Sequence, residues 1–291
     1  MYKAVPRTEP HSRIAHEELL AKARAGGIDL YFLGDSITRR WGATDYPDLL
    51  AHWRKHFYGW NAGNFGWGGD TTWNILWRVQ NGELDGVNPK VIVLLAGTNN
   101  IGKEPIADPV AKVAEVTQGV QAILELCREK APKAKIVVMG IFPRNDGSAM
   151  PVINQANENL AKFADGETVR YLNINDRLAD RDGQLFDGIA VDKLHLRLKG
   201  YQVWADALKP VLTELLGPRA KTRTPLRRRP EIQKRECRTN RLRGRCRGGG
   251  FLRSRAALRV CSWFHSCMQP DKRAGEVNAS TGGLDADRVG V

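Results

Sequence analysis

Leu30-Tyr31-Phe32-Leu33-Gly34-Asp35-Ser36-Ile37-Thr38 sets four apolar residues directly against a glycine, an aspartate and a serine. A short apolar run without alternation is the pattern of a strand buried on both faces, as parallel strands are. Gly34 permits a sharp exit from such a strand, and Asp35 and Ser36 are residue types that open helices. Four more runs of this kind follow, at 61–65, 91–96, 136–140 and 169–173, each ending in Gly, Asn or a polar loop. Between them, apolar residues recur at helical spacing over 46–57, 72–79, 110–130, 153–163 and 200–216. Strand and helix alternate, which predicts a doubly wound α/β domain with its reactive groups at the carboxyl ends of the strands.

The 291-residue chain carries a formal charge of +13, the kind of excess that suggests a nucleic-acid binder. The excess is local. Residues 1–218 hold 26 basic and 26 acidic residues, and residues 219–291 hold 19 and 6. The α/β pattern also stops near Leu216. The expected organisation is an N-terminal extension over 1–27, a domain over 28–218, and a basic, Arg-rich, disordered tail over 219–291. That tail reads either as a solvated extension or as an arm for nucleic acid. Its four cysteines, Cys237, Cys246, Cys261 and Cys267, have no zinc-ligand spacing, and Cys127 is alone in the body, so no metal site is expected. Residues 1–27 are broken up by Lys3, Arg7, Glu9, Arg13, Glu17 and Glu18 and lack the apolar run of a secretory signal. No run approaches the ~20 apolar residues of a membrane span. The chain is therefore expected to be soluble and cytoplasmic, or secreted if translation starts upstream.

Serine is scarce in the body, and of Ser12, Ser36 and Ser148 only Ser36 stands at a strand end. It reads equally as a helix cap and as a nucleophile. A nucleophilic serine needs a base. His11, His16, His52 and His56 lie in helical or N-terminal segments with polar neighbours and are expected to be solvated. His195 instead follows Asp192 by three residues in a loop leading into the last helix. A short turn at that spacing brings carboxylate onto imidazole, although Asp-x-x-His is also a common capping pair. Donors for an oxyanion are available at two more strand ends: the glycines of 64–72, Asn-Phe-Gly-Trp-Gly-Gly-Asp-Thr-Thr, and the Asn99 amide in 96–100, Ala-Gly-Thr-Asn-Asn. The glycines equally make a tight turn, and Asn99 equally bonds its own backbone.

Gly-Asp-Ser-Ile-Thr at 34–38, the glycine block at 64–72, Gly-Thr-Asn-Asn at 97–100 and Asp-Lys-Leu-His at 192–195 occur in the order of the four blocks of the SGNH, or GDSL, hydrolases. The chain resembles most the branch of platelet-activating-factor acetylhydrolase catalytic subunits and related bacterial acetylesterases. The likeness includes Leu76-Trp77-Arg78 and 80–84, and it runs from about residue 28 to 216. It implies a three-layer α/β/α fold around a five-stranded parallel sheet, and a serine esterase that needs no cofactor. Ser36 would be the nucleophile, His195 the general base and Asp192 its orienting carboxylate. The oxyanion hole would comprise the N–H groups of Ser36 and Gly69 and the side chain of Asn99. Asp35 and Asp70 would shape their loops by bonding backbone groups.

Ile37, Thr98 and Leu194 flank these positions and suggest a small acyl pocket suited to acetyl-type esters, while Trp67 is placed to wall the alcohol side. Trp60, Trp73 and Trp77 are expected in the core, and Arg144, Asn145 and Asp146 either rim the cleft or only make a turn. The expected partner is a small ester of a sugar, lipid or aryl alcohol. The resemblance includes both cytoplasmic dimers and secreted deacetylases, so a homodimer is compatible. The alternatives are a lysophospholipase or thioesterase on the same site, or a nucleic-acid binder acting through the tail.

Overall fold

The structure, a computed structural model, describes residues 2–102 and 106–221. All but the first three residues of the 219–291 tail, with its cysteines and its nucleic-acid reading, therefore lie outside the described residues. Five strands form one parallel sheet: β1 (Leu30–Gly34), β2 (Ala62–Gly66), β3 (Val91–Leu95), β4 (Lys135–Met139) and β5 (Val169–Leu172), in the order β2-β1-β3-β4-β5. The order reverses direction at β1, so a crevice opens between the carboxyl ends of β1 and β3, the usual place for a ligand in such a sheet.

Alternate residues of each strand feed two separate cores. On one face Tyr31, Leu33, Ile92, Leu94, Ile136 and Val138 pack against α1 (Pro10–Ala25), α4 (Thr72–Arg78), α6 (Pro109–Lys130) and α7 (Ala149–Ala161). On the other face Leu30, Phe32, Val91, Val93, Val137 and Met139 pack against α2 (Ser36–Gly42), α3 (Pro47–Phe57), α8 (Asn175–Leu178) and α9 (Leu198–Leu216). The result is the three-layer α/β/α fold with an all-parallel sheet. A further short helix, α5 (Thr98–Ile101), follows β3. No described helix is long and apolar enough to cross a membrane.

The strand runs and the five helices expected from the sequence pattern, observed as α3, α4, α6, α7 and α9, lie where that pattern puts them, with ends shifted by a few residues. α1 departs from the expectation of a mere extension. Its buried face is Ser12, Ala15, His16, Leu19 and Ala23, with one large aliphatic residue among the five, while Ile14 is exposed, so the helical period carries almost no hydrophobic contrast. The residues before it also belong to the domain. The Val5 N–H bonds the Trp73 carbonyl at 3.1 Å, Asn74 Nδ2 returns to the Val5 carbonyl at 2.9 Å, and Tyr2 Oη meets Thr72 Oγ1 at 2.5 Å.

Two histidines expected at the surface are buried. His16 pairs with Glu83, and His52 accepts from Trp41 Nε1 at 3.0 Å while its Nε2 faces Gln202 Oε1 at 2.9 Å. Polar neighbours in sequence did not reveal that these rings are internal hydrogen-bonding groups. Trp60 is in the core, whereas Trp73 and Trp77 are half-buried.

Phe32, on β1, is the hub of the second core, with its ring centroid 4.6 Å from Trp53, 5.0 Å from Phe57 and just over 6 Å from Trp41 and Trp204. Large-to-small changes at such positions cost the transfer energy plus a cavity. Phe32→Ala is expected to lower unfolding stability by about 3–5 kcal/mol, read as a fall in the urea midpoint.

Candidate active site

Ser36 is the first residue of α2, immediately beyond the carboxyl end of β1. Asp35 caps that helix, its Oδ1 accepting the Ile37 N–H at 2.9 Å. Gly34 is required here by close approach: a Cβ would overlap Thr38 Oγ1 and the Leu95 carbonyl. Tyr201 Oη donates to the Ile37 carbonyl at 2.7 Å, so α9 fixes the other side of the turn. Ile37 and Thr98 point into packed structure and are buried, and Leu194 packs partly against the second core.

His195 lies on a short antiparallel turn closed by the Ala190–Leu196 bridge and by the Val191 N–H to its own carbonyl at 2.8 Å. Within the turn, Asp192 Oδ1 accepts the N–H groups of Leu194 at 2.8 Å and His195 at 2.6 Å. Asp192 Oδ2 faces His195 Nδ1 at 2.8 Å, and His195 Nε2 faces Ser36 Oγ at 3.0 Å. Both readings of Asp-x-x-His are thus realised in one residue, one oxygen capping the turn and the other meeting the ring. Burial alone would raise the Asp192 carboxyl, but the His195 and Leu194 donors outweigh it and hold it below its ordinary value. A carboxylate on Nδ1 favours the tautomer with a proton there, leaving Nε2 as acceptor for a hydroxyl. This chain can generate a nucleophilic oxygen.

Gly69 and Asn99 come from the neighbouring strand ends. Gly69 has φ +77°, a left-handed conformation that suits glycine, and it is exposed. Asn99 Nδ2 donates to the Asp70 carbonyl at 2.8 Å, using one of its two amide protons. Asn100 stitches the same two loops, its Oδ1 accepting the Thr72 N–H at 2.9 Å and its Nδ2 donating to Thr72 Oγ1 at 2.9 Å. Trp67 is half-buried, its backbone N–H donates to the Gly34 carbonyl at 3.1 Å, its indole Nε1 donates to Ser12 Oγ at 3.0 Å, and the Arg39 guanidinium sits 5.0 Å from its ring.

Asp70 does not bond backbone groups through its carboxylate. It meets Arg78 Nε at 2.7 Å and Arg7 at 3.5 Å. Arg78, buried within α4, also donates to the carbonyls of Gly34 and Phe65 and pairs with Glu83, which in turn meets His16 Nδ1 at 2.8 Å. Sequence reasoning gave Arg78 no role. The available signal was an arginine at the end of α4, close in sequence to Ile75, Leu76 and Val79, all buried. Among the described residues no group of His, Cys, Asp and Glu is arranged to hold a metal ion.

The GDSL-like Lipase/Acylhydrolase family profile matches residues 32–203. The human platelet-activating factor acetylhydrolase IB subunit alpha1 is 32% identical over 205 residues, covering 69% of this chain and 83% of its own length. The rat alpha2 subunit is 35% identical over 209 residues, with shares of 69% and 83%. A GDSL-like lipase from Bacteroides thetaiotaomicron superposes with a TM-score of 0.54 at 15% identity, covering 68% of this chain and 97% of that one, which bears on the fold.

Asp35 is fully buried, and loss of hydration pushes its carboxyl up to about 7, with the Ile37 N–H opposing and Asp70 adding to the rise. Between the ordinary carboxylate range and that value the folded state holds a proton that the unfolded state has lost. The group's stabilising contribution is therefore present at low pH and declines as pH rises through about 7. Asp35→Asn keeps the cap acceptor and cannot ionise. Its Tm relative to the parent is expected to rise from about pH 5 to about pH 8 in thermal scans.

Proposed function

Because the chain belongs to the GDSL-like lipase/acylhydrolase family, whose members are ester hydrolases, we propose that it hydrolyses acetyl-type, short-chain carboxylic esters through an acyl-enzyme on Ser36. The observation that carries the reading is the continuous line from Ser36 Oγ to His195 Nε2 at 3.0 Å and from His195 Nδ1 to Asp192 Oδ2 at 2.8 Å.

In this reading His195 Nε2 takes the Ser36 proton as Oγ attacks the ester carbonyl, and Asp192 stabilises the imidazolium that results. The tetrahedral oxyanion is received by the N–H groups of Ser36 and Gly69 and by the Asn99 amide proton that does not engage the Asp70 carbonyl. His195 then protonates the departing alcohol oxygen as the C–O bond breaks. Water repeats the sequence on the acyl-enzyme: His195 takes a proton from water as the hydroxide adds to the acyl carbon, then returns it to Ser36 Oγ as the bond from Oγ to that carbon breaks and the acid forms. Each proton passes through His195, between Ser36, water and the departing alcohol, with no cofactor in the cycle.

The acyl limit is supported by the close packing of Ile37 and Thr98 and by Leu194 against the core, which leaves the wall beside Ser36 little freedom to yield. The mammalian relatives are acetylhydrolases by name. Trp67 offers an aromatic face for the alcohol portion, held by the Arg39 cation.

With p-nitrophenyl acetate and the full chain, Ser36→Ala is expected to abolish turnover, and Asn99→Ala to lower kcat by about 10²- to 10³-fold with little change in KM. Turnover by Ser36→Ala equal to the parent's would overturn the mechanism. Across p-nitrophenyl esters, kcat/KM is expected to fall at least about tenfold from acetyl to octanoyl. A level series would instead favour the lysophospholipase or thioesterase reading.

A further inference from the structure

The loop joining β4 to α7 is tied at its base to α7, α8 and α9. The Ile141 N–H donates to Asn157 Oδ1 at 2.7 Å, the Ile141 carbonyl accepts from Asn157 and Asn175, and the Phe142 ring stands on Trp204. Two consecutive residues then reach out from this base in different directions. Arg144, 7% exposed, donates from Nη1 to the Thr98 carbonyl at 3.3 Å and from Nη2 to the Gly102 carbonyl at 2.6 Å, so its guanidinium spans both ends of α5. Asn145 donates its N–H to the Lys193 carbonyl at 2.9 Å, and its Oδ1 accepts the Leu185 N–H at 2.8 Å.

Each attachment meets a need of the segment it holds. α5 is only four residues long and has no interior, so its carbonyls depend on partners from elsewhere. The turn carrying Asp192 and His195 is at the surface, with the Asp192 side chain 50% exposed, and Lys193 lies inside it. Burying a guanidinium is costly unless its donors are used, and Asp146 supplies the countercharge at 2.9 Å.

We propose that Arg144 and Asn145 are positioning residues: the β4–α7 loop sets the Asn99 amide and the His195 imidazole at a fixed separation on either side of Ser36. The inference rests on the esterase reading of that site and goes beyond it in assigning the register of its two halves to one loop. Neither residue touches the reacting atoms.

The test is steady-state hydrolysis of p-nitrophenyl acetate by the full chain, with Tm recorded for each variant. Arg144→Met and Asn145→Ala are each expected to lower kcat roughly 10- to 100-fold while KM stays within about threefold, because misplacement of this kind is felt in the transition state. Arg144→Lys, which keeps one donor, and Asn145→Asp, which keeps the acceptor, are expected to recover part of the loss. The double variant is expected to lose less than the product of the single losses, since releasing either half already frees the loop. Losses that multiply independently, or a lowered Tm with kcat unchanged, would overturn the proposal. If Arg144→Met fails to fold, Arg144→Lys against Asn145→Ala gives the same cycle. A parent no faster than Ser36→Ala would bring down the esterase reading and this inference together, whereas an active parent with undiminished kcat in the variants would bring down the inference alone.

Discussion

A single buried cation holds together the ends of the two strands on which the site is built. The Arg78 guanidinium reaches the last carbonyl of β1 at Gly34, the Phe65 carbonyl near the end of β2, and the carboxylates of Asp70 and Glu83. Its side chain is 4% exposed and both carboxylates are fully buried. Such an arrangement adds little net stability over apolar packing, but losing one member strands the others without water or partner. Its value is therefore geometric. Gly34 precedes Asp35 and Ser36, and Asp70 follows Gly69, so two of the loops implicated in the chemistry are referred to one rigid group. Asn99 joins them through the Asp70 carbonyl.

The N-terminal segment extends the same network outward. His16 closes on Glu83, and Arg7 lies over Gly69, bonding the Gly68 carbonyl at 3.2 Å. The charged residues that break up the sequence before α1 would be expected to face solvent. One of them instead covers the glycine loop, and the helix behind it closes one layer of the fold. Domain membership here rests on polar pairing as well as on the apolar contacts of Leu19 and Ala23.

This difference marks what the sequence made legible. Strands were readable because Val91 to Leu95, for example, is buried throughout and has no reason to alternate. Ser36 and His195 were readable because few serines and histidines occur in the body and these two fall at a strand end and in a turn, and Asp192 through its three-residue spacing from His195. The resemblance supplied Gly69, whose backbone role leaves no side-chain signal. α1, His16, His52 and the two attachments of Asn145 were not readable, since each depends on a partner distant in sequence: 67 residues from His16 to Glu83, 150 from His52 to Gln202 and 40 from Asn145 to Leu185. Hydrophobic periodicity reports the face a residue occupies and says nothing about which polar group waits there.

The division of labour around Ser36 follows from that. Parallel strands end together, so a doubly wound sheet delivers several loops to one crevice without cost to its core. Loops delivered in this way share a place but not a register, and catalysis by proton transfer and oxyanion binding depends on register to within fractions of an ångström. Arg78 supplies it on the β1–β2 side and the β4–α7 loop on the β3 and His195 side. The exposed turn of Asp192 and His195 needs the second support most, because it has no strand of its own: Ile189 and Leu196 anchor its base in the second core, and its tip is referred to the sheet through the groups that reach out to hold it.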